Sequence, residues 1–214
     1  MWTRRNRREV TRSGIVLAGG SSSRLGEDKG LRLLAGKPLI NHIVDRIQDH
    51  VDEVIVVVAS EEQKEKYDHA VDGVVTDMYP ESSPLVGLLT GLSYCKGAYA
   101  FVVACDMPFI CDEAVEMLFA EAEGRDGAVF EKPNGWIEPL AAVYHVETAL
   151  REAERLYREG DLRVRMILLS LDDVSLIPVE RLRGVDPELR TFFDTDSEER
   201  FREADRSLRA MSKK

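Results

Sequence analysis

The chain has 214 residues, 44% hydrophobic and 32% charged, an ordinary globular composition that excludes collagen-like, low-complexity and disordered classes. Lys plus Arg total 29 against 39 for Asp plus Glu, a net charge of −10, so no global positive field gathers nucleic acid. Its most apolar windows, Glu53 to Ala59 and Tyr99 to Cys105, are too short to cross a bilayer, which takes about 20 residues.

Cys95, Cys105 and Cys111 form neither a CxxC pair nor an even set. A disulfide framework and a structural zinc site are therefore not expected, and a reducing compartment, the cytoplasm, is. Residues 1–12 carry Arg4, Arg5, Arg7, Arg8 and Arg12 without a following apolar stretch, and read as a solvated basic arm. No repeat or linker divides residues 13–210, which are taken as one domain followed by a tail at 211–214.

Along that domain, β-branched apolar runs alternate with segments of helical period, the pattern of a mostly parallel sheet covered on both faces. Strands are expected at Gly14 to Ala18, Glu53 to Ala59, Gly73 to Asp77, Tyr99 to Asp106, Gly127 to Lys132, Ile137 to Tyr144, Val174 to Val179 and, shorter, Thr191 to Phe193. Pro38 opens an amphipathic helix through Leu39, Ile40, Ile43, Val44, Ile47 and Val51, the spacing of three and four that builds one apolar face. Further helices are expected at Pro84 to Cys95, from an Asp112 cap to Ala122, at Val146 to Arg158, Leu162 to Leu171 and Ser197 to Arg209.

In such a sheet, ligands bind beyond the carboxyl ends of the strands. Three segments reach that edge: the loop Gly19 to Lys29, Asp77, and Asp106 to Pro108. The loop reads Gly19-Gly20-Ser21-Ser22-Ser23-Arg24-Leu25-Gly26-Glu27-Asp28-Lys29. Small residues let backbone N–H groups approach phosphate oxygens. Arg24 and Lys29 supply the local positive charge that the acidic chain otherwise lacks. The string fits neither GxxxxGK[ST] nor GxGxxG.

Leu-Ala-Gly-Gly-x-Ser-x-Arg-x-Gly-x-x-Lys, followed by Gly36-Lys37-Pro38-Leu39, Pro84-Leu85-Val86-Gly87, Cys105-Asp106-Met107-Pro108-Phe109 and Phe192-Phe193-Asp194-Thr195-Asp196, resembles the nucleotidyltransferases that move a nucleoside monophosphate onto a phosphate. Within them it is most similar to the molybdenum cofactor guanylyltransferase family, over Gly14 to Arg209. The resemblance implies a three-layer α/β/α fold with a mostly parallel, Rossmann-like sheet of the nucleotide-diphospho-sugar transferase type. Its N-terminal half would bind nucleotide and its C-terminal half the acceptor.

The implied reaction joins GMP from GTP to the terminal phosphate of molybdopterin, with Mg2+ as cofactor and molybdoenzymes or other cofactor-assembly proteins as further partners. Leu17, Ala18, Gly19, Gly20, Asp77 and Gly87 are implied at the nucleotide, Arg24 and Lys29 at the phosphates, and Asp106 at both nucleotide and metal, with Asp194 and Asp196 as additional metal ligands. Where the family has Asn-x-Asn, this chain has Asp194 and Asp196. Val58 stands near the position of a family asparagine, and Ser83 replaces a glycine. Asp196-x-x-Glu199 also reads as a capping box for the last helix.

Related transfers remain open: CTP with molybdopterin, another NTP with a sugar, polyol or cobinamide phosphate, or a non-catalytic nucleotide-binding module. Leu-Ala-Gly-Gly favours the guanylyl branch. The four histidines lack ligand spacing, Cys95 and Cys105 read as packing thiols, Asp161, Arg163 and Arg165 as a solvated face. Trp136, on a turn resembling the family's acceptor side, reads as a core residue, with packing on a pterin as the sharper alternative.

Overall fold

The computed structural model describes residues 11–19, 28–71 and 73–211. In chain order the elements are β1 (Arg12–Leu17), a small hairpin of β2 (Leu33–Leu34) and β3 (Lys37–Pro38), α1 (Leu39–Ile47), β4 (Glu53–Val58), α2 (Glu61–Tyr67), β5 (Val74–Thr76), α3 (Pro84–Tyr94), β6 (Tyr99–Ala104), α4 (Asp112–Ala122), β7 (Gly127–Glu131), β8 (Ile137–His145), α5 (Val146–Glu159), α6 (Arg165–Ser170), β9 (Val174–Pro178) and α7 (Glu198–Met211).

Seven strands form one sheet in the order β5-β4-β1-β6-β8-β7-β9. Only β8 runs against its neighbours, pairing antiparallel with β6 and β7. The remaining pairs are parallel, so β1, β4, β5, β6, β7 and β9 all point their carboxyl ends to one edge. Alternate side chains feed two cores. Val16, Phe101, Val103, Phe130 and Val143 meet α1, α4 and α7 on one face. Ile15, Val57, Val102, Val129 and Ala142 meet α3, α5 and α6 on the other. This is the three-layer α/β/α architecture expected from the sequence.

Local chemistry sets the element ends. Ser60 and Ser83 cap α2 and α3, accepting from the N–H groups of Gln63 and Val86. Gly160 ends α5 at φ 77°, a left-handed conformation that a Cβ penalises.

Several expectations are corrected. Thr191 to Phe193 is not a strand but part of a 3-10 turn, Arg190–Phe192. The buried Asp186 carboxylate accepts from the N–H groups of Arg190 (2.9 Å) and Thr191 (2.8 Å), leaving no ladder for a strand to join. Cys111, not Asp112, precedes α4. The proposed capping box does not form: Ser197 accepts the Arg200 N–H at 3.2 Å, while Asp196 bonds Lys29 instead. Helix α2 has no counterpart among the expected elements, because its polar run Glu61-Glu62-Gln63-Lys64-Glu65-Lys66 buries only Tyr67. Arg12, placed in the basic arm, opens β1, where its guanidinium pairs with Glu116 at 3.1 Å and stacks on Phe119. The other arginines of that arm lie outside the described residues.

Candidate active site on the carboxyl edge of the sheet

At the carboxyl ends of β1 and β6, Lys29 and Asp106 meet. The Lys29 ammonium donates to Asp106 Oδ2 at 2.9 Å and to Asp196 Oδ1 at 2.7 Å. Burial alone lowers the pKa of Lys29, but the two carboxylates outweigh it and hold the ammonium above its usual range. Asp106 is pushed up, first by burial and then by its contact with Asp196, against the pull of Lys29. Asp196 is held down, chiefly by its hydrogen bond to Lys29. One cation thus serves two adjacent carboxylates from distant parts of the chain.

The approach of Asp196 is built by the backbone. The N–H and hydroxyl of Thr195 both donate to the Asp106 carbonyl, at 2.9 and 3.2 Å. Asp194 faces elsewhere: its carboxylate pairs with Arg200 at 3.0 Å and accepts the Asp196 N–H at 3.1 Å. Among the described residues no group of three or more His, Cys, Asp and Glu side chains is gathered as a metal cluster. Asp106 and Asp196 nevertheless form a carboxylate pair that a divalent cation would neutralise, a donor set suited to magnesium, which takes one or two carboxylates and completes its shell with water and phosphate.

Lys29 is anchored from behind. Asp28 accepts hydrogen bonds from the Tyr67 hydroxyl and from Gln63 Nε2, the latter at 2.7 Å. Gln63 Oε1 in turn accepts the Ala59 N–H at 2.8 Å. Tyr67 can reach Asp28 because residue 30 is glycine; a Cβ there would collide with the Tyr67 hydroxyl. These positioning contacts from α2 were missed in the sequence, where the only trace is the spacing of Gln63 and Tyr67 on one helix face.

Further along the edge, Asp77 follows β5 and faces α3. Its Oδ1 is buried without a hydrogen-bond partner. Burial pushes its carboxyl pKa up to about 6, with contact from the Thr90 hydroxyl opposing. Gly87 lies beside it: a Cβ there would stand 3.8 Å from Asp77 Oδ1 and 3.4 Å from Leu17. The Leu17 carbonyl accepts from Cys105 and the Ala18 N–H donates to Val57, so β1 is held in the sheet up to the start of the loop. Val58 is fully buried, its side chain in the core and its carbonyl bound to the Asp77 N–H. Gly19 follows against Ala59. Gly20 and Arg24, implied at the phosphates, lie outside the described residues.

On the opposite side, Glu138 of β8 escaped the sequence reading as a titratable group. Burial raises its pKa, the Leu140 N–H opposes, and the nearby charges of Asp106 and Asp194 raise it further while Lys132 lowers it. Trp136 is half-buried rather than a core residue. The Lys132 ammonium lies 3.9 Å from its ring centroid, and Phe192 meets it edge-on.

The remaining candidates are structural. Burial raises the Cys105 thiol and pushes Cys95 up to about 12, away from reactive thiolate. His42 bonds the Leu34 carbonyl and His50 pairs with Glu116. Arg163 grips Asp161 with two hydrogen bonds, and Arg165 donates to the Gly135 carbonyl.

The sequence and fold are similar to those of known proteins. The family model of the MobA-like NTP transferase domain matches residues 14–174. The chain belongs to that family. A probable molybdenum cofactor guanylyltransferase of Natronomonas pharaonis is 36% identical over 194 residues, covering 88% of this chain and 94% of the relative. The molybdenum cofactor guanylyltransferase of Desulfosudis oleivorans is 31% identical over 200 residues, covering 92% and 96%. The crystal structure of molybdopterin-guanine dinucleotide biosynthesis protein A from Archaeoglobus fulgidus superposes with a TM-score of 0.80 at 29% identity, covering 93% of this chain and all of that one. The family is one of nucleotidyltransferases, and among the described residues no helix is long and apolar enough to cross a membrane.

Proposed function

We propose that this protein transfers GMP from GTP to the terminal phosphate of molybdopterin, releasing pyrophosphate, in the cytoplasm. The reading is carried by the Lys29–Asp106 pair, 2.9 Å apart on the carboxyl edge in a chain similar over most of its length to guanylyltransferases. The N-terminal half holds the nucleotide: Leu17 to Gly20 and Gly87 approach the base and sugar, Asp77 its ribose side, and Arg24 and Lys29 the triphosphate. Asp106 and Asp196 would hold magnesium, and Asp194 orders Arg200. Magnesium, when bound, neutralises phosphate charge and aligns the α-phosphate.

The chemistry asks little of the protein beyond position and charge. A phosphomonoester has a second pKa near 6, so the acceptor phosphate is already largely ionised and needs no general base. Its oxygen attacks the α-phosphorus of GTP, the bond to the β-phosphate oxygen breaks, and Lys29 and Arg24 stabilise the departing charge. Lys29 must exchange part of its carboxylate pairing for phosphate as substrate enters.

The test is pyrophosphate release from GTP, CTP, ATP and UTP, each with molybdopterin and with or without magnesium. Magnesium-dependent release from GTP, with the guanine dinucleotide as product, is expected. Preferred release from CTP would move the protein to the cytidylyl reaction, and nucleotide binding without turnover would leave a binding module.

A further inference from the structure

Helix α3 approaches the nucleotide end of the edge through a face of small residues. Gly87, Thr90 and Gly91 follow at spacings of three and four, which stacks them on one side of the helix. At Gly91 the helix lies so close to β1 that a Cβ would stand 2.5 Å from Ile15 Cγ2. One turn earlier, Gly87 leaves room beside Leu17 and the Asp77 carboxyl. Thr90 is the polar member of the three, and it is fully buried.

A threonine hydroxyl accepts and donates at once. That of Thr90 accepts the Met78 N–H at 3.0 Å, which leaves its own proton for a second partner. A helical Ser or Thr can turn this proton back to the carbonyl four residues earlier, as Ser93 does to Leu89 at 2.8 Å. Among the described residues Thr90 makes no such bond; its hydroxyl contacts the Asp77 carboxyl, where it favours the ionised form against burial. The Asp77 N–H is held by the Val58 carbonyl at 2.8 Å. Asp77 is thus fixed from β4 on one side and from Thr90 on the other. The rest of the loop is tied elsewhere: Tyr79 stacks on Tyr157 with centroids 4.1 Å apart, the Tyr157 hydroxyl donates to Glu81 at 2.9 Å, and Ser83 caps α3.

We propose that Thr90 is a positioning residue for nucleotide binding, its hydroxyl setting the Asp77 carboxyl toward the nucleoside, an assignment that rests on the guanylyl-transfer reading and on the place of Asp77 in it. Thr90 is buried behind Asp77 and acts through it. By engaging the Met78 N–H and the neighbouring carboxyl together, the hydroxyl makes the loop and the Asp77 side chain one unit. The close approach at Gly91 brings the hydroxyl within reach.

The test measures GTP affinity by calorimetry, together with the unfolding midpoint, for the full chain as wild type, Thr90→Val, Thr90→Ser, Asp77→Ala and the double variant Asp77→Ala/Thr90→Val. Valine keeps the shape and removes the hydroxyl, whereas serine keeps the hydroxyl; Thr90→Ala repeats the comparison if valine unfolds the chain. The Kd for GTP is expected to rise about tenfold in Thr90→Val, the scale of one lost hydrogen bond to a charged group, and to stay within about twofold of wild type in Thr90→Ser. The KM for molybdopterin should stay within about twofold of wild type in both. Asp77→Ala also weakens GTP, and adding Thr90→Val to it changes the Kd by less than about twofold, because the contact is already lost. A Thr90→Val chain with a lower midpoint but wild-type GTP affinity makes Thr90 a packing residue and overturns the proposal, as does a fully additive loss in the double variant. GTP affinity unchanged in Asp77→Ala overturns the nucleoside role of Asp77 and that of Thr90 with it. A wild type that prefers CTP overturns the guanylyl reading alone, and the same cycle run with CTP then decides the role of Thr90.

Discussion

The two ends of the carboxyl edge are built in opposite ways. At the β1–β5 end the surface is made of backbone, small residues and one half-buried acid: Gly19, Gly87 and an Asp77 whose Oδ1 has no partner. At the β7–β9 end it is made of long side chains, with Lys132, Arg190 and Arg200 each set over an aromatic ring. Lys29, Asp106 and Asp196 stand between them. Under the proposed function the first end would meet the nucleotide with main-chain N–H and C=O groups, which small residues let come close. The other end presents side-chain charge and stacked rings instead.

The sharpest way to break this division is at its centre. Lys29→Ala or Asp106→Ala is expected to reduce kcat/KM by about a thousandfold, the scale of losing a key charge-stabilising group, with the fold retained by circular dichroism. Turnover near the wild-type rate in both would remove the centre from the account.

The next effect separates space for a ligand from space for the protein. In Gly87→Ala the new Cβ meets its neighbours at ordinary contact distances of 3.4 and 3.8 Å, so the unfolding midpoint should hold while GTP affinity falls about tenfold. Gly30→Ala should do the reverse. Its Cβ collides with the Tyr67 hydroxyl, an overpacking worth about 1–3 kcal/mol, while Lys29 keeps its own bonds to Asp106 and Asp196 and GTP affinity stays within about twofold. Measuring both stability and GTP affinity for the pair distinguishes these outcomes; a GTP affinity unchanged in Gly87→Ala would remove that residue from the nucleotide surface.

The smallest effect is a pH signature at the nucleotide end. The Asp77 pKa is raised from its ordinary value of 3.8 to about 6, so the folded protein favours the protonated carboxyl. The contribution is fully present below about pH 4 and is lost as pH rises through about 6. Because the group is only partly buried, solvent screening reduces the effect, leaving about 1 kcal/mol. Asp77→Asn should flatten the stability profile between pH 4 and 6, read by denaturant unfolding; an unchanged slope would show that Asp77 is solvated.

The same contrast explains what the sequence disclosed. The parallel strands were legible because β-branched runs such as Glu53–Val58 and Tyr99–Ala104 are buried on both faces. The positions of Gly19, Asp77 and Asp106 on the carboxyl edge were legible because each follows an apolar strand run, and Lys29 closes the loop that starts there. Helix α2 was not, since it buries one side chain and carries no periodic apolar face. Nor was the turn at Arg190–Phe192, whose aromatic content reads as strand until a buried Asp186 takes its N–H groups. The pairing of Asp196 with Lys29 was hidden for the same reason: local sequence favours a helix cap, and a partner 167 residues away wins.

The most direct test of the central claim is a crystal structure of the full chain with magnesium and a GTP analogue that cannot be cleaved between the α- and β-phosphates. The triphosphate is expected against Lys29, the metal on Asp106, and the nucleoside between Gly87 and Asp77. A triphosphate bound elsewhere, with Lys29 still joined to both Asp106 and Asp196, would contradict it.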